Sequence, residues 1–258
     1  MKLYIKNNYD EMSEWAAHHI AGAINHHQKA RPFVLGLPTG SSPLGVYRRL
    51  IEMNRAGIVS FQNVVTFNMD EYVGLPKEHP QSFRHFMHKH FFDHIDIPAD
   101  NVNLLDGMAE DPEAECLRYE EKIAAAGGID LFLGGSGVDG HLAFNEPYTS
   151  LTSRTGIRVL TEDTRIANAR FFDNDPTQVP KTALSVGVGT VCDARQVLLL
   201  ISGHNKARAL QHCVEGGVDH TWPISVLQLH PDSMIACDEA ACGELKVNTY
   251  RYFKKFFQ

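Results

Sequence analysis

Short, uninterrupted apolar runs recur along this chain, each closed by glycine or a polar turn and followed by a helical pattern. They are PFVLGL (32–37), NVVTFN (63–68), IDLFLG (129–134) and QVLLLIS (196–202). The runs do not alternate apolar with polar, so each strand must be covered on both faces, as parallel strands are. Helices are expected over 43–56, from Ser82 as N-cap, and over 205–215. Strand–helix alternation of this kind predicts an α/β layered fold, a central and mostly parallel sheet flanked by helices with right-handed crossovers. No repeat or low-complexity linker divides residues 1–258, so a single domain is expected, with residues 160–182 as a candidate lid. Ligands in such folds sit at the carboxyl ends of the strands.

Charge and composition exclude several function classes. With 24 basic and 31 acidic side chains the net charge is −7, and no Lys/Arg run is present, which argues against nucleic acid as a partner. No apolar stretch approaches the roughly 18 residues of a membrane span, and the first residues carry no apolar signal core. Cys116, Cys192, Cys213, Cys237 and Cys242 form no CxxC pair and read as reduced thiols of a cytoplasmic protein.

Three segments combine chemistry with a strand's carboxyl end. In GLPTGSSP (36–43), Thr39, Gly40, Ser41 and Ser42 offer backbone N–H groups and hydroxyls at a helix N-terminus, which attracts anions. The lysine of a nucleotide P-loop is missing, so a phosphomonoester fits better than a nucleoside triphosphate; an ordinary capped turn is the alternative. In NMDEYVGLP (68–76), Asp70 and Glu71 follow the strand as a loop. Neighbours point to opposite sides, so one at most faces a cleft as a general base, and a solvated loop acid is the alternative. GGSGVDGHLAFNEP (134–147) contains G-x-G-x-x-G, but Pro147 leaves no room for the helix a dinucleotide site needs, so no dinucleotide is expected. What it does carry is His141 between Asp139 and Glu146, an arrangement that orients an imidazole and raises its basicity. The bland reading is a loop histidine with incidental acids.

Lys206 and Arg170 stand near strand or helix ends where an anion could be met, although a lone cation is most often a surface charge. Histidine is abundant, at 14. His85, His88, His90 and His94 are expected on one helix but on two of its faces, and no zinc spacing occurs, so no metal is expected.

Together, GLPTGSSP, TFNMDEYVGLP, GVDGHLAFNEP and TRIANARFFDN resemble the signature segments of the glucosamine-6-phosphate deaminase (isomerase) family, and the likeness runs from RPFVLGLPTG to LKVNTYRYF. The resemblance implies a modified Rossmann-like fold without a cofactor, and conversion of glucosamine 6-phosphate and water to fructose 6-phosphate and ammonia. By the same resemblance, Asp70 is the base for the C2 proton and His141 opens the ring with Asp139 and Glu146 as relay. Thr39, Gly40, Ser41, Ser42, Arg170 and Lys206 then hold the phosphate. The length and C-terminal helix resemble the homohexameric branch.

One departure concerns the effector N-acetylglucosamine 6-phosphate. Family members that it activates carry a basic pair where this chain reads SRTGIRV; Arg158 keeps the second position, Gly156 replaces the first, and Tyr252 resembles a further effector residue. Two alternatives compete. A 6-phosphogluconolactonase has a similar fold and also binds a sugar phosphate, but the intact MDEY and DGHLAFNEP segments favour the deaminase. A sugar-phosphate sensor is disfavoured because no helix-turn-helix segment is expected and the acids of the site are all present.

Overall fold

All four apolar runs form strands, and with three more they pair into one seven-stranded, all-parallel sheet. A computed structural model describes residues 1–28 and 30–257. The chain begins β1 (Lys2–Lys6), α1 (Tyr9–Asn25), β2 (Phe33–Leu37), α2 (Leu44–Arg55), β3 (Val64–Asn68) and β4 (Asp70–Tyr72). It continues through α3 (Phe83–His90), β5 (Val102–Asn103), α4 (Pro112–Ala125), β6 (Leu131–Gly135), β7 (Gly156–Val159) and α5 (Glu162–Asn168). The last third holds β8 (Thr182–Ser185), α6 (Val188–Cys192), β9 (Gln196–Ile201), α7 (Ala207–Glu215), β10 (Ser233–Asp238) and α8 (Val247–Phe256).

Double-sided burial explains the continuous apolar runs. Every residue of β2 and β10 is buried. Alternate side chains of one strand enter different layers: Leu35 and Leu37 pack with Met12 and Ile20 of α1 and Tyr47 and Leu50 of α2, while Val34 packs with Tyr119 and Ile123 of α4. Each fully buried Leu or Ile contributes about 1.5–3 kcal/mol. Ser82 caps α3 where expected, accepting from His85 N at 3.0 Å, and the structure adds two further side-chain caps: Asn8 accepts from Glu11 N at 2.9 Å and Asp111 from Ala114 N at 3.0 Å. Helix α2 is different, because its N-cap Pro43 has no side-chain acceptor to offer.

Three sequence expectations need correction. The stretch after Asn68 is not simply a loop, because Asp70–Tyr72 is β4, the edge of a separate antiparallel sheet ordered β4-β8-β7. His94 is not on the same helix as His85, His88 and His90: α3 ends at His90, Phe91 leaves helical geometry, and His94 lies in a separate 3-10 turn. Pro43 is the N-cap of α2 rather than its first helical residue.

The sheet order β1-β10-β9-β6-β2-β3-β5 shows where a ligand belongs. From β2 the chain steps outward to β3 and β5; from β6 it steps the other way, to β9 and β10. The reversal falls between β2 and β6, and loops leaving adjacent strands in opposite directions open a crevice at their carboxyl ends. Residues 160–181 form the excursion between β7 and β8, carrying α5 and the 3-10 turn Ala169–Phe171, and Thr182, the end of the candidate lid, opens β8. They pack on the rest through a small cluster of Leu160, Ala169, Phe172 and Val179 around Tyr72 and Phe144.

Candidate active site

The loops after β2 and β6 flank this crevice, with the ends of β3 and β9 on either side. After β2, Gly40 turns with φ +89°, Thr39 and Ser42 are half-buried, and Ser42 Oγ accepts from Lys206 Nζ at 3.1 Å. Lys206 ends the 3-10 turn that enters α7, so the fold joins two segments 164 residues apart. Burial lowers the Lys206 pKa, the positive charge of Arg170 lowers it further, and Asp238 opposes both. Arg170 itself is exposed on the 3-10 turn after α5, its guanidinium over the Phe171 ring. Two mutually repelling cations, one of them bonded to the Ser42 hydroxyl, would be stabilised by an anion between them.

At the start of β4, the adjacent acids part company as the extended backbone requires. Both are buried. Glu71 accepts from the backbone N–H groups of Tyr72 (2.9 Å), Phe83 (3.0 Å) and Arg84 (3.0 Å), so it caps α3. Burial raises its pKa and those three bonds counter the shift. Asp70 has no such support. Its Oδ1 is buried without a hydrogen-bond partner, and burial, with the charge of Glu71 adding to it, pushes its pKa up to about 8. An unsatisfied buried polar group costs about 1–3 kcal/mol, and strongly raised carboxyls concentrate where proton transfer occurs.

After β6 no helix opens, so the glycines serve a different purpose from a dinucleotide fingerprint. A Cβ at Gly137 would collide with the His141 ring and with Asp139 Oδ1, and Gly140 turns at φ +80° against Trp222. The glycines make room for the acid–imidazole pair. His141 Nδ1 stands 2.8 Å from Asp139 Oδ1, close but too poorly directed for a well-formed hydrogen bond. Burial acts to raise the Asp139 pKa, yet its pairing with His141 outweighs this and holds it below the ordinary carboxyl value.

Glu146 is not paired with His141, contrary to the expected three-residue relay. Its Oε1 accepts from Thr164 Oγ1 at 2.6 Å and from Thr161 N at 3.2 Å, tying it to the first turn of α5. The neighbouring Asn145 donates to Leu142 O and Val186 O and accepts from Arg158 Nε at 3.0 Å. Arg158 is thus turned into the protein, while Tyr252 is exposed on α8, which lies against β1. The partners of Glu71 and Glu146 are not marked by any sequence pattern, since a threonine on a helix does not announce which acid it meets. Among the described residues no helix is long and apolar enough to cross a membrane, and no group of three His, Cys, Asp or Glu is set to hold a metal.

Fold and site define a layered α/β protein with a hydroxyl-rich loop joined to a half-buried lysine, an acid–imidazole pair and a desolvated carboxyl around one strand-order reversal. The family model for glucosamine-6-phosphate isomerases/6-phosphogluconolactonase matches residues 7–235, and the chain belongs to that family. It is 62% identical over 256 residues to the glucosamine-6-phosphate deaminase of Parabacteroides distasonis, covering 98% of this chain and 95% of that one. The deaminase of Porphyromonas gingivalis is 60% identical over 258 residues, covering 98% and 97% respectively. A solved monomeric glucosamine-6-phosphate deaminase superposes with a TM-score of 0.90 at 42% identity, covering 94% of this chain and 99% of that one. The 6-phosphogluconolactonase of Trypanosoma cruzi, with a TM-score of 0.73 at 21% identity over 95% of this chain and 97% of that one, shares the fold.

Proposed function

We propose that this protein converts glucosamine 6-phosphate and water into fructose 6-phosphate and ammonia. The observation that carries the reading is Asp70, a buried carboxyl with an unpartnered oxygen and a pKa raised to about 8, at the crevice where the family's signature segments converge. A base whose pKa lies near the operating pH both exists in its basic form and drives proton transfer.

Thr39, Gly40, Ser41 and Ser42, with Lys206 and Arg170, hold the substrate phosphate and so position the sugar chain. His141, oriented by Asp139, moves the proton between the anomeric hydroxyl and the ring oxygen as the C1–O5 bond breaks and the aldehyde forms. Asp70 then takes the C2 proton, which the new C1 carbonyl has made acidic, giving an enolamine. Reprotonation at C1 leaves an imine at C2; water adds there, and the C–N bond breaks to release ammonia and the ketose. Every step is a proton transfer, an addition of water, or an elimination in which the ring oxygen or ammonia leaves. Glu146 supports His141 once its tie to α5 is released, with residues 160–182 acting as the lid.

The finer points of assembly and regulation belong to the same proposal. The five free thiols, with Cys237 and Cys242 sharing a thiol–thiol hydrogen bond at 3.6 Å rather than a disulfide, support a reducing, cytoplasmic setting. A homohexamer is the assembly the sequence resemblance favours, and light scattering on the eluted protein separates it from a single chain. The test of the activity is ammonia released from glucosamine 6-phosphate, coupled to appearance of fructose 6-phosphate. Ammonia without ketose, or neither, would reject the reading.

A further inference from the structure

Nothing in the sequence marks Tyr9, yet its hydroxyl holds the back of the anion loop. Tyr9 is the first residue of α1. Its Oη donates to the carbonyls of Ser41 (3.0 Å) and Ser42 (3.1 Å), and accepts from Gly45 N at 2.7 Å. A phenol has one proton and two lone pairs, so the donation is shared between the two carbonyls while the acceptor side serves Gly45. The Gly45 N–H is one of the donors left orphaned in the first turn of α2, and Pro43 has no side chain to satisfy it. Tyr9 supplies that missing cap from another helix.

The same bonds decide which way the loop presents its charges. A trans peptide sets N–H and C=O on opposite sides of the chain. Holding the Ser41 carbonyl toward Tyr9 therefore aims the Ser42 N–H away from Tyr9. Holding the Ser42 carbonyl back removes a second oxygen that would repel an anion, and Pro43 contributes no N–H at that peptide. The Ser42 hydroxyl is left to meet Lys206 Nζ at 3.1 Å. The seat is tight: a Cβ at position 45 would collide with Ser13 Oγ and stand 3.0 Å from Tyr9 Cε1, so Gly45 is what lets the phenol approach.

We propose that Tyr9 is a positioning residue for phosphate binding, fixing the Ser41–Ser42 peptides so that donors rather than carbonyl oxygens face the anion. The inference rests on the reading above that this loop binds the substrate phosphate. Because Tyr9 reaches the ligand only through the loop, its loss should weaken ground-state and transition-state binding alike, and leave the proton transfers at C1 and C2 untouched.

The experiment is Tyr9→Phe in the full chain, which deletes one oxygen and keeps the ring. Two quantities are read: the saturation curve for glucosamine 6-phosphate, and the affinity for inorganic phosphate from its protection against thermal unfolding. We expect KM and the phosphate dissociation constant each to rise by about fivefold or more, with kcat within about twofold of the parent, as loss of uniform binding requires. An unchanged phosphate affinity, or a fall in kcat at constant KM, overturns the proposal. Failure of Tyr9→Phe to fold also overturns it, by assigning Tyr9 to folding. If the parent releases no ammonia yet Tyr9→Phe still weakens phosphate binding, the activity has been misread while the role of Tyr9 stands.

Discussion

Thr164 Oγ1 donates to Glu146 Oε1 at 2.6 Å, so the carboxylate expected to serve His141 is held instead by the first turn of α5. Thr164 is also tied to Thr161, the N-cap of that helix, whose own N–H reaches the same oxygen at 3.2 Å. Release of Glu146, as proposed, would therefore require the first turn of α5 to let go of it. A hydrogen bond to a carboxylate contributes about 1.5–3 kcal/mol. Thr164→Val should favour the released arrangement about tenfold or more and raise kcat by about twofold or more where release precedes chemistry. Steady-state ammonia release measures this; a kcat that falls would mean the tie holds Glu146 in its working position.

Asp70→Asn should lower turnover by at least about a hundredfold, since a general base contributes about 10²–10⁴-fold, with KM little changed. The same substitution should stabilise the fold. Asp70 stays protonated in the folded chain up to about 8, whereas an unfolded aspartate ionises near 3.9. Between those values the folded state binds the extra proton, so stability falls as pH rises, and the effect is absent below about 4. The melting temperature of Asp70→Asn should exceed that of the parent increasingly from pH 4 to pH 8. A constant difference across that range would place the Asp70 carboxyl in water.

For activity the sign is opposite, because only ionised Asp70 accepts a proton. The profile of kcat/KM should rise with pH along an acid limb well above the ordinary carboxyl range. The substrate phosphate itself ionises near pH 6, so the limb belonging to Asp70 is the one above it. A profile already flat at pH 6.5 would contradict the burial of Asp70.

Lys206→Ala and Arg170→Ala should each raise KM about tenfold or more, a charge-assisted bond being worth about 1.5–3 kcal/mol. Affinity for inorganic phosphate should fall in parallel. Their mutual repulsion adds a second test: in Arg170→Ala the Lys206 pKa should rise, because the Arg170 charge is one of the two causes lowering it. An unchanged KM in both variants would put the phosphate elsewhere.

What the sequence reveals here depends on distance along the chain. Asp139 and His141 sit on one glycine-rich bend, so their pairing is legible, and the strands β2, β3, β6 and β9 announce themselves because burial on both faces demands unbroken apolar runs. The small sheet does not. Its strand β4 is three residues long and begins with two acids, and β7 contains a glycine and an arginine, so only tertiary contacts make them strands. The same holds for Glu71 as a cap of α3, and for Lys206 on Ser42, 164 residues away. The adjacent carboxyls of Asp70 and Glu71 look equivalent in the sequence; three backbone donors at Glu71 and none at Oδ1 of Asp70 separate them.

The effector response that the resemblance raises is tested at Gly156. With no side chain there, Arg158 folds back over it: its Nη1 would stand 2.9 Å from a Cβ at that position. The guanidinium is bonded to Asn145 Oδ1 (3.0 Å), Arg154 O (2.8 Å) and Ile157 O (3.2 Å). An effector phosphate would have to recruit Arg158 away from these partners, and would find no second cation at position 156. Losing one charge-assisted contact alone weakens binding by about 10–150-fold. An effector acts only through its different affinities for two states, so a contact absent from both couples nothing. Substrate saturation should therefore be close to hyperbolic, with little activation by sub-millimolar N-acetylglucosamine 6-phosphate. In Gly156→Lys the new side chain should displace Arg158 and restore a basic pair, so activation should appear at concentrations that leave the parent unaffected. The measurement is a pair of saturation curves, with and without effector, for parent and variant. A sigmoidal parent curve made hyperbolic by micromolar effector would show that Arg158 leaves Asn145 readily and that Gly156 does not silence the site.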